Sequence, residues 1–138
     1  MDVYFSCSLT GGRGDQPVVA ALIAHLQMLG HRVLTEHLGA DTAMAADGGL
    51  PPETVFERDT AWLRDSDAVI AEVSTPSHGV GFELAYALER GKPVLCLARE
   101  GVRVSKMLTG IRQTGFHFQT YRTVEEALAH QEAFLARY

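Results

Sequence analysis

The sequence predicts an α/β fold: a single-domain, three-layer sandwich in which a five-stranded parallel sheet is covered by helices on both faces. Three observations carry this expectation. Short β-rich runs alternate five times with runs of helical apolar spacing, the pattern of parallel strands joined by helical crossovers. The run "AVIAEV" at 68–73 is almost continuously apolar, as a strand buried on both faces must be. The chain has 138 residues, of which 46% are hydrophobic and 21% charged, which suits one domain with one ordinary core, spanning 1–138.

The elements follow in order. "VYFSCS" (3–8) reads as the first strand, ended by the glycine-rich loop "SLTGGRGD" (8–15). "VVAALIAHLQMLG" (18–30) has helical apolar spacing and a glycine where a helix C-terminus wants one. "HRVLTE" (31–36) is the second strand, and 37–52 a long loop of small residues. Pro51 or Pro52 opens a helix reaching about Ser66. After the strand at 68–73 and the loop "STPSHGVG" (74–81) comes an apolar helix closed by Gly91 and Pro93. "PVLCLA" (93–98) is the fourth strand, 104–112 a shorter helix, and "HFQTYR" (117–122) the fifth strand. Thr123 with Glu126 three residues on forms a capping-box pattern that opens the last helix, 123–138.

Right-handed crossovers leave few topologies, and the commonest for five such strands is the flavodoxin-like order 2-1-3-4-5. That order reverses between strands 1 and 3, and ligands bind beyond the carboxyl ends of strands at such a point. The loops there are 8–15 and 74–81, both rich in Gly, Ser and Thr. The first is neither a P-loop nor a GxGxxG turn; it reads as a flexible turn or as a seat for phosphate or another anion.

Composition excludes several classes. A formal net charge of −5 gives no basic field for a nucleic acid polymer. No apolar run approaches the roughly 18 residues of a membrane span. Cys7 and Cys96 fall in strand-like runs and are expected as buried thiols of a cytoplasmic protein. The six histidines show no zinc spacing, and neither a metal nor an organic cofactor is expected.

Three residues are candidates for chemistry. Glu83 stands in what reads as the first turn of its helix. There it either complements the helix dipole or is kept ionised by it as a nucleophile at the cleft mouth. Asp59 has Val55, Phe56, Trp62 and Leu63 at helical neighbour spacings, while Glu57, Arg58, Arg64 and Asp65 point elsewhere. It is either a buried structural acid or a carboxyl group whose apolar surroundings suit it to act as an acid. Tyr4, on a strand beside strand 3, is either a core aromatic or a phenol that holds Glu83. Two carboxyl groups in unlike surroundings are the components of retaining glycoside cleavage.

A resemblance now bears on these alternatives. "VYFSCSLTGGRGD", "VLTEH" (33–37), "ERDTAWLRDSDAVIAEVSTPSHGVGFELAYALERGKPVLCL" (57–97) and "VSKMLTG" (104–110) resemble the 2′-deoxynucleoside 5′-monophosphate N-hydrolases of the nucleoside 2-deoxyribosyltransferase superfamily. The resemblance implies hydrolysis of a deoxynucleotide to free base and 2-deoxyribose 5-phosphate. Glu83 would be the nucleophile, Asp59 the acid that works on the base and Tyr4 the residue that steers Glu83. It further implies a substrate-binding set of Cys7, Ser8, Leu9, Thr10, Gly11, Gly12, Arg13, His37, Ser77 and Gly79, with Ser8, Ser77 and the glycine loop at the 5′-phosphate. Ser105 would be lent to that phosphate by the partner subunit of a homodimer. Thr10 stands where the family pattern has an arginine, and His78 where it has an apolar residue. A deoxyribosyltransferase and a non-catalytic nucleotide-binding module are the alternative readings.

Overall fold

A computed structural model describes residues 1–9, 14–40, 43 and 48–138. Five strands, β1 (Asp2–Cys7), β2 (Arg32–Val33), β3 (Ala68–Glu72), β4 (Val94–Arg99) and β5 (Phe116–Tyr121), form one sheet. Its order is β2-β1-β3-β4-β5 and every pairing is parallel, as the alternation of elements predicts. The helices are α1 (Gln16–Met28), α2 (Pro52–Asp65), α3 (His78–Glu89), α4 (Lys106–Thr109) and α5 (Val124–Leu135).

Strand alternation divides the interior into two layers. Val3, Phe5 and Cys7 of β1 face α1 and α5, packing with Leu22, Leu26, Ile70, Leu95 and Phe134. Tyr4 faces the opposite way, into a cluster with Leu63 of α2, Leu84 and Leu88 of α3 and Val69 of β3. Every residue of β3 is buried, which accounts for its nearly continuous apolar run.

Local chemistry sets the helix ends. Pro52 lies at the start of α2, with Glu53 in its first turn and Arg64 in its last, all favourable to the helix dipole. Gly30 and Gly91 take positive φ of 83° and 68° just past α1 and α3, a conformation that costs other residues a steric penalty. Ser77 caps α3 by accepting from the Val80 N–H at 3.4 Å, and Thr123 caps α5 by accepting from the Glu126 N–H at 3.3 Å.

Three expectations need correction. The second strand is shorter than 31–36: after Val33 the chain turns into a 3-10 segment, Glu36–Gly39. The Thr35 hydroxyl takes over the pairing, accepting from the Phe5 N–H at 2.9 Å and donating to the Phe5 carbonyl at 2.7 Å. The helix expected over 104–112 is the single turn of α4, begun by the Ser105 cap on the Met107 N–H at 3.2 Å. Cys7 is half-buried rather than buried; Cys96 is fully buried, and burial pushes its thiol up to about 12.

Candidate active site

The site is built where β1 and β3 diverge in the connection order. Tyr4 and Ser6 are two apart on β1 and so point to the same face, toward α2 and α3. Glu83 of α3 lies over them. The Tyr4 hydroxyl donates to Glu83 Oε1 at 2.7 Å, and the Ser6 hydroxyl donates to Oε2 at 2.5 Å. Each carboxyl oxygen thus has its own donor, which fixes the plane of the group.

Glu83 is not in the first turn of its helix. The helix starts at His78, so Glu83 is its sixth residue, and the first turn contains no acid. The dipole at the terminus is therefore not what governs it. Burial dominates and pushes its carboxyl up to about 7. The bonds from Ser6 and Tyr4 favour the ionised form and only partly offset burial, while the charge of Asp59 adds to the rise. Tyr4 is raised above the usual phenol range, first by burial and then by the Glu83 charge, so it stays a neutral donor.

Asp59 belongs to the same group, since its charge acts on both Tyr4 and Glu83. Its surroundings differ from the expected apolar stripe. Leu63 is fully buried, but Phe56 is 56% exposed and Val55 and Trp62 are only partly covered. Arg58, expected to point away, turns back: its Nε donates to Asp59 Oδ1 at 2.8 Å. The guanidinium lies over the Trp62 ring, 4.8 Å from the centroid. His37, from the 3-10 segment, reaches the same tryptophan, with ring centroids 5.9 Å apart. Glu83, Tyr4, Asp59 and His37 are thereby gathered at one end of the sheet, with Ser6, Arg58 and Trp62 among them.

The remaining candidates lie around this group. Cys7 and Ser8 line a space of about 10 Å³ with Asp15, Gln16, Glu72 and Thr75. The Ser8 hydroxyl is buried with no hydrogen-bond partner among the described residues. Leu9 packs against the α1 layer, as does Cys7, on the opposite face of the sheet from Glu83. Thr10, Gly11, Gly12 and Arg13 lie outside the described residues. The two switch-point loops meet as the topology predicts: Thr75 Oγ1 donates to Asp15 Oδ2 at 2.8 Å, and Arg99 Nε pairs with Asp15 Oδ1 at 2.7 Å.

Ser77 and Ser105 line a second, much larger space. A cavity of about 670 Å³ runs between α3 and the 103–111 segment, walled by Leu84, Leu88, Val104 and Leu108. Of its α3 residues, Gly81, Ala85 and Leu88 stand on the far side of the helix from Glu83 at about 100° per residue, while Val80 and Leu84 lie to its flank. Gly79 is exposed beside the Ser77 cap, and a Cβ there would meet only Ser77 Oγ, at 3.8 Å. His78 is exposed on the rim of the same cavity.

Sequence reasoning missed Ser6 and Arg58. Ser6 was within reach, because period-two alternation places it beside Tyr4. The i, i+4 spacing to Trp62 was the available signal for Arg58, but its bond to the adjacent Asp59 was not legible, because neighbouring helix positions do not face each other. A second buried carboxylate, Glu72, was also missed. It accepts from both the hydroxyl and the N–H of Ser74, and from the Tyr121 hydroxyl at 2.9 Å, and so pins the start of the 74–81 loop.

Fold and site define a Rossmann-like α/β protein with a held carboxyl group at the ligand-binding end of a parallel sheet. The family model for nucleoside 2-deoxyribosyltransferase matches residues 3–127, and the chain belongs to that family. A mouse protein named 5-hydroxymethyl-dUMP N-hydrolase is 43% identical over 143 residues, covering 99% of this chain and 78% of its own. A Thermofilum pendens relative, whose provisional name is 2′-deoxynucleoside 5′-phosphate N-hydrolase 1, is 42% identical over 137 residues, covering 98% and 95%. Among solved structures, a Clostridium botulinum CMP N-glycosidase shares the fold with a TM-score of 0.73 at 19% identity, over 97% of this chain and 99% of that one. No helix among the described residues is long and apolar enough to cross a membrane.

Proposed function

We propose that this protein hydrolyses the N-glycosidic bond of 2′-deoxynucleoside 5′-monophosphates, giving free base and 2-deoxyribose 5-phosphate. The observation that carries the reading is the Glu83 carboxyl group, held through both oxygens by Tyr4 and Ser6 beside a second carboxyl group, Asp59. In this mechanism Glu83 attacks C1′ as the C1′–N bond breaks, and the bond's electron pair leaves on the base, which takes up a proton delivered through Asp59. Water then cleaves the deoxyribosyl–Glu83 ester. The pair matches the two-carboxylate logic of retaining glycosidases, in which one group is ionised and the other assists the leaving group. The names of the 42–43% identical relatives favour a 5′-phosphorylated deoxynucleoside as substrate.

Ser8, whose buried hydroxyl has no partner among the described residues, and Ser77, at the N-terminus of α3, are proposed to receive the 5′-phosphate. They would act with the loop of Thr10, Gly11, Gly12 and Arg13. Cys7, Leu9, His37 and Gly79 complete the proposed binding set. A homodimer is proposed to close the site, with Ser105 acting on the partner's phosphate. The apolar groove beside Ser105 and the 82% exposed Met107 support that assembly.

The family description favours one second reading, transfer of the deoxyribosyl group to another base from the same intermediate. Incubation with a panel of deoxynucleoside monophosphates, with and without an acceptor base, separates the two by chromatography. Release of base without acceptor supports hydrolysis; release only with acceptor overturns it. Glu83→Gln is expected to lower the rate by several orders of magnitude, on the order of 10³-fold or more, since it removes the covalent path. Near-normal turnover by that variant would exclude Glu83 as nucleophile.

A further inference from the structure

Adjacent residues on a helix diverge by about 100° and do not normally face each other. Arg58 and Asp59 nonetheless meet, at 2.8 Å from Nε to Oδ1, with only 22% and 20% of their side chains exposed. The reason is a platform one turn further on. Trp62 is the i+4 neighbour of Arg58, and the guanidinium lies on its ring at 4.8 Å. The His37 ring stacks obliquely against the same tryptophan, at 5.9 Å and 47°. A planar, permanently charged guanidinium suits such a stack, and a flexible ammonium does not. The charge of Arg58 also reaches Tyr4, where it opposes the effects of Glu83 and Asp59.

We propose that Arg58 is the positioning residue of Asp59 in the hydrolysis proposed above, on which this inference rests. Seated on Trp62, it occupies Asp59 Oδ1 and so turns Oδ2, which has no hydrogen-bond partner among the described residues, toward the departing base. Without this bond no hydrogen bond among the described residues fixes the plane of the Asp59 carboxyl group. With it, one oxygen is committed and the other has a fixed direction, which is the geometric requirement for helping a leaving group. The guanidinium also supplies positive charge on the side where negative charge grows as the base leaves.

A double-mutant cycle tests the role. Rates are measured for wild type, Arg58→Gln, Asp59→Asn and the double variant, with melting curves to show that each is folded. Arg58→Gln is expected to lower kcat by roughly 10- to 100-fold with a much smaller change in KM. In the Asp59→Asn background the same change should cost little more, because the carboxyl group that Arg58 orients is already gone. Losses that multiply across the cycle, or an unchanged kcat for Arg58→Gln, would overturn the proposal. Arg58→Lys should recover only part of the rate, and full recovery would overturn the role of the stacked planar group.

A second measurement does not need turnover. Glu83 is faced by Tyr4 and Ser6 from β1 and by Asp59 from α2. Removing Arg58 leaves the Asp59 charge uncompensated, so the Glu83 carboxyl should titrate higher in ligand-free Arg58→Gln than in wild type, as followed by carbon NMR. An unmoved midpoint overturns the proposal. If wild type cleaves no nucleotide the hydrolase reading fails, while this titration still decides whether Arg58 governs the charge of the pair.

Discussion

The Tyr4 hydroxyl and the Glu83 carboxyl group meet at 2.7 Å although 79 positions separate them in the chain. The bond spans the β1–β3 switch point and brings one residue from the strand and one from the helix that follows its neighbour. Tyr4 is 2% exposed, so its ring is fixed by the core and its hydroxyl cannot wander. Tyr4→Phe keeps the ring and removes only the donor. We expect a folded protein whose kcat falls roughly 10- to 100-fold, since Glu83 loses one of two orienting bonds. A rate within twofold of wild type would show that Ser6 alone suffices.

Burial pushes the Glu83 carboxyl up to about 7, so its ionised, nucleophilic form falls away as pH drops below that value. The pH profile of kcat/KM should therefore rise through about pH 7 on its acid side. Ser6→Ala removes the larger of the two effects that pull the value down, and should move that limb to higher pH. A limb near pH 4.5 in wild type would contradict the role of burial.

The same shift bears on stability. The folded carboxyl group holds its proton more tightly than an unfolded one at 4.5, so stability is lost as pH rises from that value through about 7. The cost is absent in acid and reaches roughly 3 kcal/mol above pH 7, taking about 1.4 kcal/mol for each tenfold change in proton affinity. Glu83→Gln should thus melt above wild type at pH 8, with the gap closing towards pH 5. An equal difference at both pH values would argue against a strained, buried charge.

Asp59 separates two roles by substrate. If it helps the base leave, Asp59→Asn should remain folded and lose much of its rate, and lose least for bases that depart easily without assistance. If it is only a scaffold, the variant should melt lower and show unchanged rates with both kinds of base. Melting curves and rates with a good and a poor leaving base distinguish the outcomes.

The 5′-phosphate and the dimer give a fifth test. Hydrogen bonds to a charged group contribute about 1.5–3 kcal/mol each, so deoxynucleosides lacking the phosphate should be very poor substrates. Ser105→Ala should raise KM without unfolding the protein. Met107→Glu, at the edge of the apolar groove, should shift light scattering towards a 15.0 kDa species and raise KM with it. A 15.0 kDa wild type with full activity would rule out a shared site.

Much of this arrangement is legible in the sequence because it depends on periodicity. Strand order follows from the alternation of elements, and the meeting of the two loops follows from strand order. Tyr4 and Glu83 sit at ends that topology brings together, and the resemblance adds their proposed roles. What escapes is set by side-chain length and by solvent. The depth of α3 decides that burial, not the dipole, governs Glu83, and a one-dimensional pattern does not show that depth. Arg58 reaches Trp62 at ordinary i, i+4 spacing, but its Nε bends round to the adjacent Asp59, which helical spacing alone does not show. Thr35 replaces backbone pairing with a hydroxyl, which shortens β2 where β-propensity alone extends it.

The place of β1 in the sheet has a consequence for how the protein is made. The earliest of the five strands in sequence order, it lies between β2 and β3, with partners on both edges. Its inner edge waits for Ala68–Glu72, and Tyr4 and Ser6 wait for Glu83. Long-range parallel pairing of this kind forms slowly and leaves nascent edges open to aggregation. Nascent chains that stop before residue 68 thus display an apolar strand without its β3 neighbour. During the interval before β3 is made, that edge of β1 has no strand to pair with.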